Sequence, residues 1–389
     1  MVRAAPAGQL TSRGHVPTAS GVRFGLATPE HDAPLRRLLR ENAMPGSISL
    51  TMEREPNFFA AAGVEGPEHQ TIVAVENDRV VAAGNISARQ RFINGQAMRV
   101  GYLGALRLDA SCRGHASILR RGYEAFRKLH EQLGPPIYLT SIVADNLSAR
   151  RFLEKGLSGM PTYRFLGEFV TLIIPRAGRF DLLRPMPSAG RKLREQGVQI
   201  VHGAKERSAV IEELLNRDHQ RYQFAPAWSA GELHPDSFQI AYAADGRPLA
   251  CAAIWDQRSV KQIVVRGYSG HLRWAKPLVN LAAAFLGSPR LPRIGMPMSH
   301  AFLSHLAFPV DQPQVAAWLI HLLRGLAHSR SIDYLVLGFD SRDPRFLYLR
   351  RIFRSREYVS RIYVVHWEDG APLAQSLDGR LLGPEVATL

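Results

Sequence analysis

The first half of the chain alternates between strand-like and helix-like spacing of its apolar residues. "VRFGLA" at 22–27 predicts a strand, and "PEHDAPLRRLLREN" at 29–42 predicts a helix with one apolar face. Residues 71–109 then contain three apolar segments with turn residues between them. One of these turns is Asn94-Gly95, and an Asn-Gly pair between alternating segments is a strong hairpin signal. The pattern predicts a strand, a helix and an antiparallel meander.

A helix, a strand, a second helix and a last strand are predicted after the meander. The first helix follows the loop and keeps an apolar spacing of three and four from Ile118 up to Gly134 and the two prolines behind it. "IYLTSIVAD" at 137–145 reads as a buried strand, "NLSARRFLEKG" at 146–156 as a helix and "FVTLIIP" at 169–175 as a strand.

The second half repeats much of this order. "SHAFLSHLAF" at 299–308 corresponds to "VGYLGALRL" at 100–108, and Asp340 corresponds to Asp145. "QIVVRGYSG" at 262–270 is interpreted as the third strand of a second meander. Repeats of this size favour the duplication of a whole domain over a solenoid.

The repeat, together with the Pro and Gly density between its two copies, divides the chain into segments. The predicted segments are a flexible N-terminal segment (1–20), a first domain (21–175), a linker (176–197), a second domain (198–369) and a C-terminal tail (370–389).

Composition narrows the possible partners and the compartment. The net charge is +15, but only six of the 49 basic residues are lysine, and the arginines occur in every segment. This spread favours the codon usage of a GC-rich genome over a dedicated nucleic-acid surface. No apolar run approaches the length of a membrane span, and no apolar signal segment follows the N-terminus. Cys112 and Cys251 lack CxxC or zinc-like spacing, so we expect a reducing cytoplasm.

The stretch "SCRGHASILRRG" at 111–122 lies between the meander and the long predicted helix. A helix N-terminus has unpaired N–H donors and a partial positive charge, and small residues let phosphate oxygens approach the backbone. Arg113, Gly114 and Ala116 fit a phosphate-binding loop at this point. An arginine-rich turn that only caps the helix is the alternative.

The element order and this loop resemble the GNAT (Gcn5-related N-acetyltransferase) superfamily. In that family a loop of the form Arg/Gln-x-x-Gly-x-Gly/Ala holds the pyrophosphate of coenzyme A through its backbone N–H groups. Arg113 and Gly114 match the motif, whereas Ala116 replaces its first glycine and Ile118 its second small residue. The resemblance implies a mixed α/β sheet, two GNAT-like domains in tandem with the second one degenerate, and acetyl-CoA or another acyl-CoA as co-substrate without a metal.

A second segment, "DNLSARRFLEKGL" at 145–157, resembles the family's Asn-x-x-Ala-x-x-Leu-Tyr-Glu-Lys-x-Gly-Phe motif. Asn146 can cap the helix, and the family resemblance also implies that it faces the pantetheine arm. Leu153 stands where the family often has a tyrosine that protonates the departing thiolate. The coenzyme A site that the resemblance implies is formed by Leu106, Arg107, Leu108, Arg113, Gly114, His115, Ala116, Ser117, Ile118, Asn146 and Phe152.

Acyl transfer to an amine needs a base that removes the proton of the amine and a hydrogen-bond donor that stabilises the oxyanion. An acid that protonates the departing thiolate increases the rate. The resemblance implies that a backbone N–H near Leu106 or Leu108 polarises the thioester carbonyl. Tyr163 is the candidate acid, with a half-buried strand tyrosine as the alternative. Glu53 or Glu55 is the candidate base, with a solvated helix start as the alternative.

The second half departs from this pattern at the position of the phosphate loop. "PVDQPQV" at 309–315 contains an aspartate and two prolines and has neither arginine nor glycine. An acidic side chain repels a pyrophosphate, and proline removes N–H donors, so we predict that this half does not bind coenzyme A. The spacing of His300 and His305 does not suit a metal site.

These features together predict a cytoplasmic N-acetyltransferase or N-acyltransferase that moves an acyl group from acyl-CoA to a small-molecule or protein amine by direct attack. Leu153 and Ile118 also suit an acyl-CoA-binding pseudo-enzyme, and the positive charge also suits a Fem-type aminoacyl-tRNA-dependent transferase. We expect no specific nucleic-acid partner and no membrane span. The sequence leaves open the acceptor, the acyl chain length and the oligomeric state.

Overall fold

A computed structural model describes residues 21–112, 116–156, 158–178 and 188–389. The β-strands are β1 Val22–Leu26, β2 Ile48–Glu53, β3 Glu68–Glu76, β4 Arg79–Ile93, β5 Gln96–Leu108, β6 Tyr138–Val143, β7 Thr162–Pro175, β8 Gln199–His202, β9 Phe238–Tyr242, β10 Pro248–Trp255, β11 Gln262–Tyr268, β12 His300–Ala307, β13 Tyr334–Asp340 and β14 Arg356–His366. The α-helices are α1 Asp32–Glu41, α2 Ala62–Glu65, α3 Ala116–Leu133, α4 Leu147–Glu154, α5 Ser188–Glu195, α6 Ser208–His219, α7 Gly270–Leu286, α8 Pro313–Ser329, α9 Pro344–Ile352 and α10 Ala371–Gln375.

The predicted meander is confirmed as β3, β4 and β5, which pair in antiparallel register. Its first turn has positive φ at Asn77 (47°) and Asp78 (59°), and its second at Asn94 (50°) and Gly95 (82°). Two successive residues with positive φ form the turn whose twist matches that of antiparallel strands, and Asn, Asp and Gly tolerate that conformation. The turn residues in the sequence therefore determine these two hairpins locally.

The strands of both halves form one 12-stranded mixed sheet in the order β1-β3-β4-β5-β6-β14-β7-β13-β12-β10-β9-β8. The two halves exchange a strand at its centre. Strand β14, from the second half, pairs with β6 and β7 of the first. Strand β7, from the first half, pairs in turn with β13 of the second. The halves are therefore joined by backbone hydrogen bonds across the middle of the sheet.

The exchanged strands also carry side chains into the core of the other half. Phe126 on α3 packs on Trp367, directly after β14, with ring centroids 4.6 Å apart. Leu172 and Ile174 on β7 are fully buried in the core of the second half, among the side chains of α8 and β13. Each half thus completes its core with a strand supplied by the other.

Three segments differ from the sequence interpretation. Strand β11 does not join the main sheet as the third strand of a second meander; it pairs with β2 in a separate two-stranded sheet. The predicted linker contains helix α5. The residues predicted as a C-terminal tail pack into the structure, where Ala374 and Thr388 are fully buried. Apolar character predicts that a strand is buried, but it does not specify which strand lies beside it.

Among the residues that the structure describes, no helix combines the length and the hydropathy that a bilayer crossing requires.

Candidate functional site

The first domain contains an opening between β5 and β6. The two strands pair in parallel only from Gly101–Leu103 to Tyr138–Thr140, after which β5 continues along β4 while β6 pairs with β14. The hydroxyl of Thr140 donates to the carbonyl of Leu103 at 2.7 Å, at the point where the strands separate. The strands are therefore apart beside Leu106 and Leu108, the residues near which the family resemblance implies a polarising backbone N–H.

A bulge in β5 faces this opening. Ala105 has a φ of 50°, and the register with β4 shifts by one residue at this point. The N–H of Asp109 donates to the carbonyl of Val81 on β4 at 2.7 Å. Because successive N–H groups along a strand point to opposite sides, the N–H of Leu108 points away from β4, towards the opening. Leu106 is exposed beside it, and Arg107 donates to the carbonyl of Leu106 at 2.9 Å.

The connection from β5 to α3 begins with an ordered turn. The carboxylate of Asp109 accepts from the N–H and the hydroxyl of Ser111 at 2.9 and 2.7 Å, and Arg79 lies 3.0 Å away. The hydrogen bonds from Ser111 lower the pKa of Asp109 below its usual value, with a smaller contribution from Arg79. The carboxylate is therefore charged at neutral pH, which stabilises the turn at the end of β5.

The predicted phosphate loop lies partly outside the described residues. Arg113, Gly114 and His115 are among the residues that the structure does not describe, and α3 begins at Ala116. Ser117 is exposed in the first helical turn. Ile118 is buried against core residues of β1 and β4, so its side chain faces the core and its backbone N–H is the group left for a phosphate. Burial explains why a large residue is accepted at a motif position for a small one.

Helix α4 contains the second motif. Asn146 caps it as predicted, with its side-chain oxygen accepting from the N–H of Ala149 at 3.2 Å. Leu153 is buried in an aromatic cluster and serves its packing. Phe152 is half-buried against the same cluster. A leucine at this position belongs to the core of the domain.

Tyr163 lies on β7, next to the same cluster. Its hydroxyl is 2.5 Å from the hydroxyl of Tyr123 on α3. Burial raises the pKa of Tyr163 well above 10 and that of Tyr123 to about 12. Both phenols therefore keep their protons at neutral and mildly alkaline pH.

Glu53 ends β2 and is buried, so its environment differs from the solvated helix start considered as an alternative. Its carboxylate accepts from the hydroxyl of Thr51 and forms ion pairs with Arg266 on β11 and Arg40 on α1. The carboxylate of Glu55 also forms two ion pairs, with guanidinium nitrogens of Arg36 and Arg40 that each lie 2.5 Å away. In this arrangement the two carboxylates connect α1, β2 and β11.

Sequence reasoning missed a buried charged cluster around Glu65, at the end of α2. Arg54 and His69 contact its carboxylate, the latter at 3.2 Å, and Lys261 from the second half lies 3.9 Å away. Burial alone would raise the pKa of Glu65, but the hydrogen bond from His69 and the charge of Arg54 outweigh it and lower the pKa to about 2. No local sequence pattern relates Glu65 to Lys261, because the tertiary fold alone brings them together.

This cluster also contacts the end of the chain. Lys261 donates to the carbonyl of Leu389 at 3.2 Å, and Gln257 donates to the carbonyl of Ala387 at 2.9 Å. Within the described part of the chain, two buried atoms here lack a hydrogen-bond partner, namely Nη1 of Arg54 and Oε1 of Gln257. A donor and an acceptor that are buried without partners are groups that a polar ligand can satisfy.

The second domain has an equivalent opening that its own chain fills. Strands β12 and β13 pair only from His300–Phe302 to Tyr334–Val336, and His305, the counterpart of Ala105, has a φ of 54°. The N–H of His305 donates to the carboxylate of Glu385 at 2.9 Å. Residues 382–386 line this opening together with β12 and β13. A carboxylate oxygen of the protein therefore occupies the position that faces the bulge.

Known proteins resemble this chain in structure and not in a detectable way in sequence. No protein-family model matches the sequence, and no curated protein matches it significantly. Two structures of Saccharomyces cerevisiae N-myristoyltransferase with bound myristoyl-CoA are similar, both at 12% identity. One has a TM-score of 0.58 over 91% of this chain and 81% of its own, and the other 0.57 over 94% and 87%.

A third similar structure is the GCN5-related glucosamine N-acetyltransferase region of a fungal multi-domain GH3 β-N-acetylglucosaminidase. Its TM-score is 0.58 at 9% identity, over 89% of this chain and 38% of that one. These similarities agree with the mixed sheet, the two openings and the repeated order of elements described above. The chain therefore has the GNAT fold, in an N-myristoyltransferase-like form with two GNAT-like domains in tandem.

Proposed function

We propose that this protein transfers an acyl group from acyl-CoA to an amine by direct attack of the amine on the thioester. The observation that carries the proposal is the opening between β5 and β6, where the bulge at Ala105 and the free edge of β5 present backbone N–H groups. The similar structures that contain myristoyl-CoA support the same class of co-substrate.

The opening in the second domain illustrates the chemistry proposed for the first. There the N–H of the bulge residue His305 donates to a carboxylate oxygen of Glu385. In the first domain we assign the same task, polarisation of the substrate carbonyl, to the counterpart N–H of Ala105 and to that of Leu108. Donors that are already oriented in this way stabilise the oxyanion of a tetrahedral intermediate without further reorganisation.

The phosphate end of the co-substrate is assigned to the start of α3 and to the loop Arg113–Ile118. Backbone N–H groups at a helix N-terminus bind anions, and the length of α3, Ala116–Leu133, gives its N-terminus the full helix dipole. In this proposal the anion site follows the strand that polarises the carbonyl, because the chain runs from β5 through the loop into α3. In this proposal Arg107, Asn146 and Phe152 lie along the co-substrate between the two points.

Thiol release and coenzyme A binding test the proposal. We expect wild type to release thiol with at least one amine from a panel offered with acetyl- to myristoyl-CoA. We also expect it to bind coenzyme A and dethiolated coenzyme A in a calorimetric titration. Gly114→Glu places a carboxylate against the pyrophosphate and should weaken binding at least about tenfold. Gly231→Glu is the matched control, because a side chain there meets open space.

The alternative functions predict different outcomes. Tight acyl-CoA binding without thiol release above hydrolysis, with every amine, would identify an acyl-CoA-binding pseudo-enzyme. Binding of tRNA in place of coenzyme A would favour the aminoacyl-tRNA-dependent transferase. Equal coenzyme A affinity in wild type and Gly114→Glu would contradict the phosphate loop.

We assign the proton for the departing thiolate to the phenol of Tyr163, because Leu153 has none to give. A positioned general acid contributes about 10² to 10⁴ in rate, so Tyr163→Phe should slow thiol release by about 10²-fold or more with little change in coenzyme A affinity. Tyr123→Phe serves as the control, since it removes the hydrogen bond between the two hydroxyl groups but leaves the Tyr163 phenol. Unchanged turnover in Tyr163→Phe would show that the Tyr163 phenol has a structural role and is not the proton donor.

A further inference from the structure

The segment between β10 and β12 has an unusual charge distribution. From residue 257 to residue 310 the chain contains no Asp or Glu, whereas it contains seven Lys and Arg. Residues 257–299 of this segment form β11, helix α7 and the loop that leads to β12. They have no counterpart among the described residues of the first half, where a two-residue turn joins β4 to β5, and β11 pairs with β2 outside the main sheet.

The polar side of helix α7 packs on the loop that follows it. Lys276 donates to the carbonyl of Pro292 at 2.6 Å. Asn280 both donates to Leu291 and accepts from its N–H, at 3.1 and 2.7 Å. Ala283 is the buried residue of the helix. This orientation is the reverse of an ordinary surface helix, in which the apolar face packs on the core.

The apolar side chains of α7 consequently face outward. Trp274, Leu278, Leu281 and Phe285 are 82%, 71%, 57% and 74% exposed, and their spacing places them on one face of the helix. Ile294 and Met296 in the following loop are also more than half exposed. We call these six residues the α7 apolar face. A contiguous exposed apolar surface of this kind marks a binding surface.

Three basic side chains near this face form no ion pair with the described residues. Arg258 is paired with Asp256 and Arg266 with Glu53, so these two contribute little free charge. Arg273, Arg290 and Arg293 are exposed on α7 and in the loop after it. The surface is therefore apolar and cationic at once.

We propose that the α7 apolar face docks on an anionic lipid membrane, with α7 lying in the plane of the interface. Tryptophan and phenylalanine favour the headgroup boundary, and exposed arginines attract anionic headgroups. A second copy of the chain suits the surface less well, because a symmetric contact would bring its arginines together with no acidic residue in the segment to pair with them. The docking does not depend on the proposed acyl transfer.

The full-length protein with vesicles of defined composition tests the proposal. We expect sedimentation with vesicles of equal parts phosphatidylcholine and phosphatidylglycerol, and at least about tenfold weaker binding to phosphatidylcholine alone. Trp274 is 82% exposed, whereas Trp228, Trp318 and Trp367 are buried and Trp255 is half-buried. Its emission should shift to the blue on anionic vesicles and be quenched by lipids brominated in the acyl chain, and Trp274→Phe should remove both signals.

Two double variants separate the face from general surface hydrophobicity. Leu278→Gln with Phe285→Gln should reduce vesicle binding at least about tenfold with unchanged thermal unfolding. Leu347→Gln with Ile352→Gln, which changes two exposed apolar residues of another helix, should bind as wild type does. A third double variant, Arg290→Glu with Arg293→Glu, tests the charge and should remove the preference for anionic lipid.

Three results would overturn the proposal. The first is no sedimentation of wild type with anionic vesicles. The second is an equal loss in the Leu347/Ile352 variant. The third is a dimer of the wild type in sedimentation equilibrium that dissociates in the Leu278/Phe285 variant while neither protein binds vesicles, which would make the face an interface between copies.

Discussion

At the scale of single residues, Glu65 is the most consequential buried charge near the candidate site. Its carboxylate offsets the charges of Arg54 and Lys261, which come from different halves of the chain. An ion left behind in such a cluster has neither water nor a partner, so the removal of one member destabilises more than the intact cluster stabilises.

We therefore expect Glu65→Gln to lower the free energy of unfolding at pH 7 by about 3 kcal/mol, because a pKa lowered from 4.5 to about 2 corresponds to that much stabilisation. The pKa is depressed in the folded state, so this contribution is complete above pH 4.5 and is lost as the pH falls towards about 2. Urea unfolding of wild type and variant at pH 7 and at pH 3 measures the difference, which should shrink at the lower pH.

Glu124→Gln is the matched control, since Glu124 is exposed and lies 3.7 Å from Arg120 in an ordinary helical pair. We expect it to change stability little at either pH. A Glu65→Gln protein as stable as this control at pH 7 would show that the cluster contributes no net stability.

At the scale of elements, the bulge in β5 is the feature on which the proposed oxyanion site depends. Ala105 and His305 occupy corresponding places in the two domains and share a positive φ, of 50° and 54°. A residue with a Cβ in this region is strained, and a β-branched residue is strained most. The same bulge thus occurs in both domains, and in the second domain its N–H donates to Glu385.

Ala105→Val should lower the free energy of unfolding by about 1–2 kcal/mol and weaken acyl-CoA binding, because a branched side chain opposes the bulge conformation. Ala97→Val, at an exposed extended position of the same strand, should leave both nearly unchanged. Ala105→Gly should retain the bulge and lose no affinity. Thermal unfolding and calorimetry of the three variants measure these effects, and equal behaviour of the two valine variants would contradict a strained bulge.

At the scale of the whole molecule, the exchange of β7 and β14 makes the two domains interdependent. Without residues 188–389, β6 and β7 both lose the strand that lies between them. Without residues 21–178, β13 and β14 lose β7 in the same way. Unpaired strand edges in a buried region favour aggregation.

We expect the fragments 1–178 and 188–389 to be insoluble when expressed separately and to form a one-to-one complex when expressed together. A full-length chain cleaved at a protease site inserted within 179–187 should stay associated and unfold in a single transition. Size-exclusion chromatography with light scattering checks both statements. A soluble, monomeric 1–178 fragment with cooperative unfolding would show that the first domain does not need β14.

The sequence by itself determined the local elements and their repetition. Turn pairs such as Asn94-Gly95 require a backbone that few residues adopt, and Asn146 satisfies a helix end within its own turn, so these features follow from neighbours along the chain. The match of 299–308 with 100–108 correctly aligned the two strands that separate from their parallel neighbours. The resemblance to the GNAT family rested on these same local patterns.

Only the tertiary structure decided which strands are neighbours and which charges meet. The apolar pattern of β7 and β14 predicts buried strands, but backbone hydrogen bonds are the same for every sequence, so the pattern does not reveal that the two strands change places. Glu65 and Lys261 meet for the same reason, through the fold and not through any spacing. The outward apolar face of α7 was also decided at this level, because an amphipathic sequence specifies two faces but not the one that packs on the protein.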